Sequence, residues 1–396
     1  MTTYDWIVVG GGFTGSALAY ELSQKDFKVL LLEKDYSADN ATVYSYGGLA
    51  YWSGTDELTR QLAKEGIELH RNLEAELGAD IEFQELDLLL TVDTEDNPAE
   101  VAQNFNKFAI QPEILNPQEA GKLEPLLNSN AIAGVLKLPH GQVNAQKTAL
   151  AYQQAFFRNG GKIEYEKVSD LVRHQNTVRG VTTEKNTYHA ANTVICAGAL
   201  THSLLKKMGI SVPTYFTHSQ VIKTIPIELK LNSIVMPAIQ KRFALEDLGR
   251  NLEKSAWEHP DNEIVESILD AGAVQLNDGS LFLGQISAIA TNPHYIPDTE
   301  RAERQIRQSI ARILPALANI PGTCHHCLVA FSKSGIASVG NLKNIKGIYL
   351  FSGFTSTIVF APPLAKHFAR WVSGEQSVME KLNLSHLNAI AIKEQE

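Results

Sequence analysis

Residues 4–34 read YDWIVVGGGFTGSALAYELSQKDFKVLLLEK, and the rest of the chain is best read outward from them. The pattern predicts a strand over Asp5–Val9, a glycine turn, a helix over about Thr14–Gln24, and a second strand over Lys28–Leu32 closed by Glu33. Gly10 makes the tight turn, Gly12 lets backbone approach a pyrophosphate, and Gly15 lets the helix lie close on the strand. Phe13 and Thr14 fill the turn between those glycines. The helix start offers unpaired N–H groups and a positive dipole end to phosphates. Glu33 stands 18 residues after Gly15, where a carboxylate can accept hydrogen bonds from both hydroxyls of a ribose, and Lys34 follows it. A lone glycine pattern is weak, but here strand, turn, helix, strand and acid fall in register. The acid favours an unphosphorylated ribose, so FAD or NAD rather than NADP.

The chain has 396 residues, enough for two domains with ample core. Hydrophobic content of 44% and charged content of 20% are ordinary for a globular protein. A net charge of −9, from 35 basic and 44 acidic residues, argues against nucleic acid as the main partner. Three cysteines, Cys196, Cys324 and Cys327, cannot form a disulfide framework, which points to a reducing compartment. The N-terminus starts in a strand with no basic leader region. No apolar stretch approaches the roughly 18 residues of a membrane span. A soluble, cytoplasmic protein without a transmembrane segment is expected; peripheral membrane contact stays compatible with the sequence.

Beyond the opening unit, SADNATVYSYGGLAYWSG reads as a long loop and Asp56–Leu77 as an amphipathic helix. Ile81–Val92 is strand-like, and Pro98–Phe108 and Pro117–Leu127 suggest short helices. Gly134–Leu138 is a strand ended by a Pro139-His140-Gly141 turn. Asn144–Asn159 is a helix with two glycines past its end, and Lys162–Val172, Val178–Glu184 and Thr193–Cys196 alternate as strands. From Pro213 the pattern changes. Thr214–Ile225, Ser233–Leu245 and Ala273–Leu283 read as antiparallel strands around a polar helical insertion over Asp247–Ala271. Thr299–Ala318 is an amphipathic helix, Gly347–Ser352 a strand and Pro363–Val372 a helix. The expected fold class is α/β: a Rossmann-like cofactor domain of the glutathione-reductase type from 1–80, 140–212 and 325–396, with an inserted, mostly antiparallel α+β substrate domain from 81–139 and 213–324.

The order of these elements resembles the D-amino-acid oxidase / glycine oxidase / sarcosine oxidase (DAO) family of FAD-dependent oxidoreductases over nearly the whole chain. GGGFTG with Glu33 corresponds to the end that holds ADP. Ser45-Tyr46-Gly47-Gly48 is similar to the family's small-residue loop beside the flavin. GVLKLPHGQVNAQKTALAYQQAFFRNGGKIEYEKV resembles a segment with an Asp-Gly turn, here His140-Gly141, and Val168 matches the position whose backbone pairs with adenine. TVICAGAL places Ala197 and Gly198 in the turn that closes over the pyrophosphate; Cys196 there reads as a small core residue. GIYLFSGFTSTIVFAPPLAKHFARWV resembles the C-terminal signature, in which Gly353, Thr355, Ser356, Thr357 and Ile358 form the turn whose N–H groups face the flavin. The family has further glycines there, and Ile358 departs from it.

The resemblance implies hydride transfer to flavin N5 from a C–H next to an amine or hydroxyl, with oxygen or another electron acceptor taking the electrons on. Catalytic residues are not readable. Amino-acid oxidases of the family carry an arginine shortly before an Asp-Gly-x-Pro turn, since a guanidinium fork binds a carboxylate. The matching stretch, LVAFSKSGIASVG (Leu328–Gly340), has Ser334 for the aspartate, Ala337 for the proline and no arginine. Lys333 is the nearest cation, although lysine does not replace a bidentate fork. Tyr46, Tyr51 and Trp52 are candidates to line a pocket. Gln220 and Arg242 are expected on substrate-domain strands, with Arg242 able to stand in for the missing guanidinium, and His218 reads as structural. The Cys324–Cys327 run (C-H-H-C) is rejected as a metal site, because consecutive strand residues point to opposite faces.

The leading expectation is therefore a flavoenzyme that oxidises a small amine or amino acid. Its rivals are a flavoprotein holding FAD for structure or assembly with lost or altered catalysis and, less favoured, an NAD-dependent dehydrogenase.

Overall fold

The computed structural model describes residues 3–37, 39–259, 264–333 and 335–380; Ser334 and the C-terminal end of the expected cofactor domain, 381–396, lie outside them. Alternation in β1 (Thr3–Val9) sends Trp6 and Val8 into one core and Ile7 and Val9 into another, so the strand is covered on both sides, as a parallel sheet requires. It sits centrally in the parallel run β17 (Ile348–Ser352), β10 (Thr187–Ile195), β1, β2 (Val29–Glu33) and β7 (Lys162–Tyr165). Antiparallel β16 (Ser338–Asn341) extends one edge, and β9 (Thr177–Thr183) with β8 (Val168–His174) pairs back onto β10. On the first face pack α1 (Phe13–Ser23), α2 (Glu57–Leu77), α5 (Ala145–Arg158) and α10 (Thr357–Val372); on the second, α6 (Thr201–Lys207) contributes Leu205. The local signals are in the sequence. α2 opens on a capping box, Asp56 accepting from the Thr59 N–H at 2.9 Å, and stops at left-handed Gly78.

The second sheet runs β15 (Gly322–Ser332), β11 (Thr214–Thr224), β14 (Leu281–Ala290), β13 (Ile264–Gln275), β12 (Ile234–Pro237), β4 (Gln84–Val92), β6 (Gly134–Gln142) and β3 (Gly48–Leu49), with β5 (Glu113–Leu115) also on β6. Every pairing is antiparallel except β12 on β4. One face is closed by α9 (Thr299–Ile313), whose Ala302, Ile306, Ile310 and Ile313 form a single buried stripe. Short helices α3 (Pro98–Gln103), α4 (Pro117–Leu123), α7 (Lys241–Asn251) and α8 (Lys254–Glu258) connect these strands, and Leu245 of α7 and Trp257 of α8 are buried together. The opposite face of β11, carrying Val221 towards Tyr44 and Tyr46, turns to the first sheet. This α/β architecture, a parallel nucleotide-type sheet joined to a mostly antiparallel one, is the fold class expected. No helix among the described residues is long and apolar enough to cross a membrane.

Several expectations are corrected. Pro139-His140-Gly141 is not a turn but part of β6, where Pro139 lies opposite Asp87 of β4. On the other edge β5 reaches only Lys137 and β3 begins at Gly141, so a residue without an N–H is tolerated. The expected strand Ala273–Leu283 is split by a hairpin at Asn277-Asp278-Gly279, with Gly279 at φ 86°. The expected helical insertion over 247–271 is strand from Ile264 on. IVESILDAGAVQ pairs along β14 with two register shifts, and such bulges scramble the alternation that marks a strand. Of Ser233–Leu245 only Ile234–Pro237 is strand, and Lys241 opens a helix. The last helix starts at Thr357, six residues early, with Pro362 and Pro363 inside it. A carbonyl freed by Pro363, that of Val359, is where Gly66 of α2 packs: a Cβ there would come within 2.2 Å of it.

Candidate active site

A cavity of about 1190 Å³ opens between the carboxyl ends of β1, β2 and β10 and the inner face of the second sheet. It is larger than the roughly 300–1,000 Å³ of a pocket for one small ligand, so a dinucleotide and a small substrate fit it together.

Its first end is made of backbone. Gly10, Gly12, Phe13, Thr14, Glu33, Lys34, Val168, Ala197 and Gly198 all line it. Gly10 holds φ 109°, and a Cβ on Gly15 would stand 1.9 Å from the Gly10 carbonyl oxygen. Gly15 therefore acts by packing and does not itself line the cavity. Glu33 Oε2 accepts the Gly11 N–H at 2.6 Å, and Oε1 accepts those of Lys34 at 2.8 Å and Asp35 at 3.2 Å. A carboxylate has about four acceptor positions, so capacity remains for a ribose hydroxyl. Sequence reasoning missed the loop beneath: Asn40 Oδ1 accepts the Thr42 N–H, and Thr42 Oγ1 accepts the Phe13 N–H at 3.1 Å. The only signal for it was the polar turn composition of SADNAT.

The middle of the cavity is framed by two glycine turns. Ser45 and Gly48 line it, whereas Gly47, at φ 72°, lies behind, where a Cβ would meet the Val143 carbonyl at 1.7 Å. A Cβ on Gly48 would strike the Tyr46 ring at 2.3 Å and His140 Nε2 at 2.7 Å. His140 accepts from Trp52 Nε1 at Nδ1, 3.2 Å away, and burial drives its pKa down to about 3, so it supports the loop as a neutral ring. Opposite, Gly353, Thr355, Ser356, Thr357 and Ile358 line the wall. The turn that lacks the family's extra glycines is made by Ser356 itself in the left-handed region, φ 49° and ψ 53°. The Thr355 N–H is spent on Ile336 O at 2.8 Å, while those of Thr357 and Ile358 have no acceptor among the described residues. The start of α10 thus presents donors to the cavity.

The far end is made of side chains. Tyr46, Met236, Gln240, Arg242, Gln285 and Phe331 converge there. Arg242 lies in the first turn of α7, not on a strand. Lys333 is exposed and Tyr51 half-buried, and neither lines the cavity; burial raises the Tyr51 phenol. His218 and Gln220 face the other side of the second sheet. His218 Nε2–H donates to Ala290 O at 3.1 Å, leaving Nδ1 to accept from His326 at 2.9 Å, and Gln220 donates to Asp298 O. The Cys324–Cys327 run divides as strand geometry requires. Cys324 packs with the α9 core, His325 stacks on Tyr44 on the opposite face, and Cys327 reaches the cavity with its thiol pushed up to about 12 by burial.

The free donors at α1 and α10, the glycine contacts that exclude any side chain, and Glu33 suit a flavin dinucleotide along the whole cavity. Comparison with known proteins agrees. The sequence profile of the FAD dependent oxidoreductase family, DAO, matches residues 5–371, and the chain belongs to that family, with FAD as its cofactor. Over 376 residues it is 24% identical to 4-methylaminobutanoate oxidase (formaldehyde-forming) of Paenarthrobacter nicotinovorans, covering 92% of this chain and 43% of that protein. Over 236 residues it is 26% identical to the mitochondrial pyruvate dehydrogenase phosphatase regulatory subunit of Mus musculus, covering 57% and 27% respectively. The chain thus spans less than half the length of these two relatives. Glycine oxidase from Geobacillus kaustophilus shares the fold with a TM-score of 0.78 at 21% identity, covering 95% of this chain and 96% of that one.

Proposed function

We propose that the protein oxidises the C–H next to the nitrogen of a small amine or amino acid. The observation that carries this reading is the single cavity that joins the nucleotide turn, the start of α10 and the side-chain wall at Arg242. FAD, when bound, supplies the redox chemistry as hydride acceptor. The chain supplies the rest. Gly10, Gly12 and the start of α1 fix the phosphates, with Glu33 at the ribose and Val168 beside the adenine. The N–H groups of Thr357 and Ile358 lie where negative charge is stabilised by the helix start. Tyr46, Met236 and Gln285 bound the space left for substrate and exclude water from it. None of the neighbouring ionisable groups is needed as a strong base if the amine binds neutral. Oxygen or another acceptor takes up the electrons, and the cytoplasm is the compartment that suits the three free thiols.

A second reading, FAD held for structure or assembly, draws on two observations: the missing family arginine before Gly335, and the likeness to a relative named as a regulatory subunit. Anaerobic mixing of FAD-loaded protein with primary and secondary amines, amino acids and their hydroxyl counterparts separates the two. Oxidase chemistry requires at least one amine to bleach the oxidised flavin band. Full flavin occupancy with no bleaching by any of them favours the second reading.

A further inference from the structure

Three glycines in a row, Gly10 to Gly12, leave the nucleotide turn with no side chain of its own to fix it. Glycine backbone is the most permissive and loses the most freedom on ordering. The direction of each peptide in this turn therefore has to be imposed by other residues, and the hydrogen bonds identify them. The Gly10 N–H donates to Leu32 O at 2.8 Å, that of Gly11 to Glu33 Oε2 at 2.6 Å, and that of Phe13 to Thr42 Oγ1 at 3.1 Å. The N–H groups of Gly12 and Thr14, both residues of the cavity wall, have no acceptor among the described residues.

The Gly12 N–H belongs to the peptide whose carbonyl is that of Gly11, and two side chains hold this carbonyl from behind. Ser16 of α1, fully buried, donates from Oγ to Gly11 O at 2.9 Å. Gln153 of α5, 142 residues along the chain, donates from Nε2 to the same oxygen at 2.8 Å. The Gln153 amide also donates to Ser16 Oγ at 3.0 Å, so amide, hydroxyl and carbonyl close a ring. Neither Gly11 O, a carbonyl, nor Ser16 Oγ, whose proton is committed to that carbonyl, leaves room for the amide oxygen in this place, which fixes how the amide is turned. The Tyr152 ring beside it stands edge-on to that of Phe13, with centroids 6.4 Å apart, so α5 meets the turn at two points.

A trans peptide is planar, and its C=O and N–H point in opposite directions. Drawing the Gly11 carbonyl towards α5 turns the Gly12 N–H the other way, towards the cavity. Ser16 alone would keep the buried carbonyl from going unpaired. The second donor fills the remaining lone pair and stops the Gly11–Gly12 peptide from rotating.

We propose that Gln153 is a positioning residue for the cofactor, acting through the Gly11 carbonyl to keep the Gly12 N–H turned to the pyrophosphate before FAD arrives. A donor ordered in advance does not have to be ordered on binding, and affinity gains by that difference. This role rests on the reading of the turn as the phosphate site.

Fragments of the cofactor test this without turnover. Full-length apoprotein is titrated with ADP, adenosine and FAD by calorimetry, which separates the phosphates from the base and ribose, and the FAD-loaded protein is followed by phosphorus NMR. Gln153→Met keeps length and bulk without the donor, and Gln154→Met, at an exposed position of the same helix, is the control. Wild type and the control should both bind ADP more tightly than adenosine. Gln153→Met should lose about 3- to 10-fold in ADP and FAD affinity, as for one neutral hydrogen bond, and keep its adenosine affinity and melting temperature. It should also shift a phosphorus resonance of bound FAD while the visible flavin spectrum stays unchanged. Unchanged ADP and FAD affinity in Gln153→Met overturns the proposal, since the turn then holds itself. Equal losses for ADP and adenosine also overturn it, since Gln153 then only packs α5 against α1. Wild type that binds ADP no better than adenosine removes the phosphate reading of the turn, and the role of Gln153 with it.

Discussion

At its nucleotide end the cavity is built of backbone, and at its far end of side chains. Gly10 and Gly15 are there because any larger residue collides with main chain that cannot move away: 1.9 Å from Gly15 to the Gly10 carbonyl, 2.5 Å from Gly10 to the Cys196 carbonyl. Such a constraint ties residue type to position, so it survives as a readable pattern. The far wall draws Tyr46 from a loop, Met236 from β12, Arg242 from α7 and Gln285 from β14. No spacing links them, and a different substrate needs only a different side chain on the same strands.

The largest expected effect is at the backbone end. Gly15→Val should leave protein that retains essentially no flavin after gel filtration, because the helix cannot lie on β1; retention of normal flavin content would break the contrast at its strongest point. Next comes Glu21, on α1 but remote from the cavity chemistry. Burial raises its carboxyl to about 7, with Lys366 only partly opposing. A carboxyl raised in the folded state leaves stability intact below the unfolded value of 4.5. Stability is lost as pH rises through about 7, since the unfolded chain ionises first. Glu21→Gln should therefore stabilise the protein by about 3 kcal/mol at pH 8 and by little at pH 4, in urea unfolding at both pH values, with flavin affinity unchanged.

Glu33→Ala removes three accepted backbone bonds and the ribose acceptor. It should weaken FAD binding by roughly 10- to 100-fold, from about 1.5–3 kcal/mol for bonds to a charged group, read by fluorescence titration of apoprotein. The smallest effect is expected from Asp270→Asn at the other end, where the carboxylate accepts the N–H groups of Lys241 at 2.9 Å and Arg242 at 3.0 Å at the start of α7. Losing one capping oxygen costs about 0.5–2 kcal/mol, seen as a lower urea unfolding midpoint with an unaltered FAD affinity. If Asp270→Asn weakened FAD binding as much as Glu33→Ala does, the two ends would be one structural unit and not two.

The same contrast explains what was legible. The boundaries of β1, α1 and β2 were read to within a residue or two, because the Gly10–Gly15 contact, the apolar runs and Glu33 all lie within 31 consecutive residues. Asn40 and Thr42, which hold the turn from below, carry no pattern beyond polarity. β13 was misread because its two bulges break the alternation, and with it went the helical setting of Arg242. Pro139 looked like a strand end, since its tolerance depends on a gap between β5 and β3 that only tertiary pairing creates. Of the two cations weighed in place of the absent arginine, Lys333 lies nearest in the chain but is exposed, whereas Arg242, some 90 residues earlier, lines the cavity from α7.

One cavity, shaped for a flavin dinucleotide, runs from Gly10 to Ile358. Parallel titration of apoprotein with FAD and with NAD tests this most directly, using flavin fluorescence and calorimetry. FAD should bind stoichiometrically and tightly, acquire a structured visible spectrum, and resist displacement by NAD in large excess. A colourless protein that takes up no FAD, or one in which NAD binds and displaces it, would contradict the account.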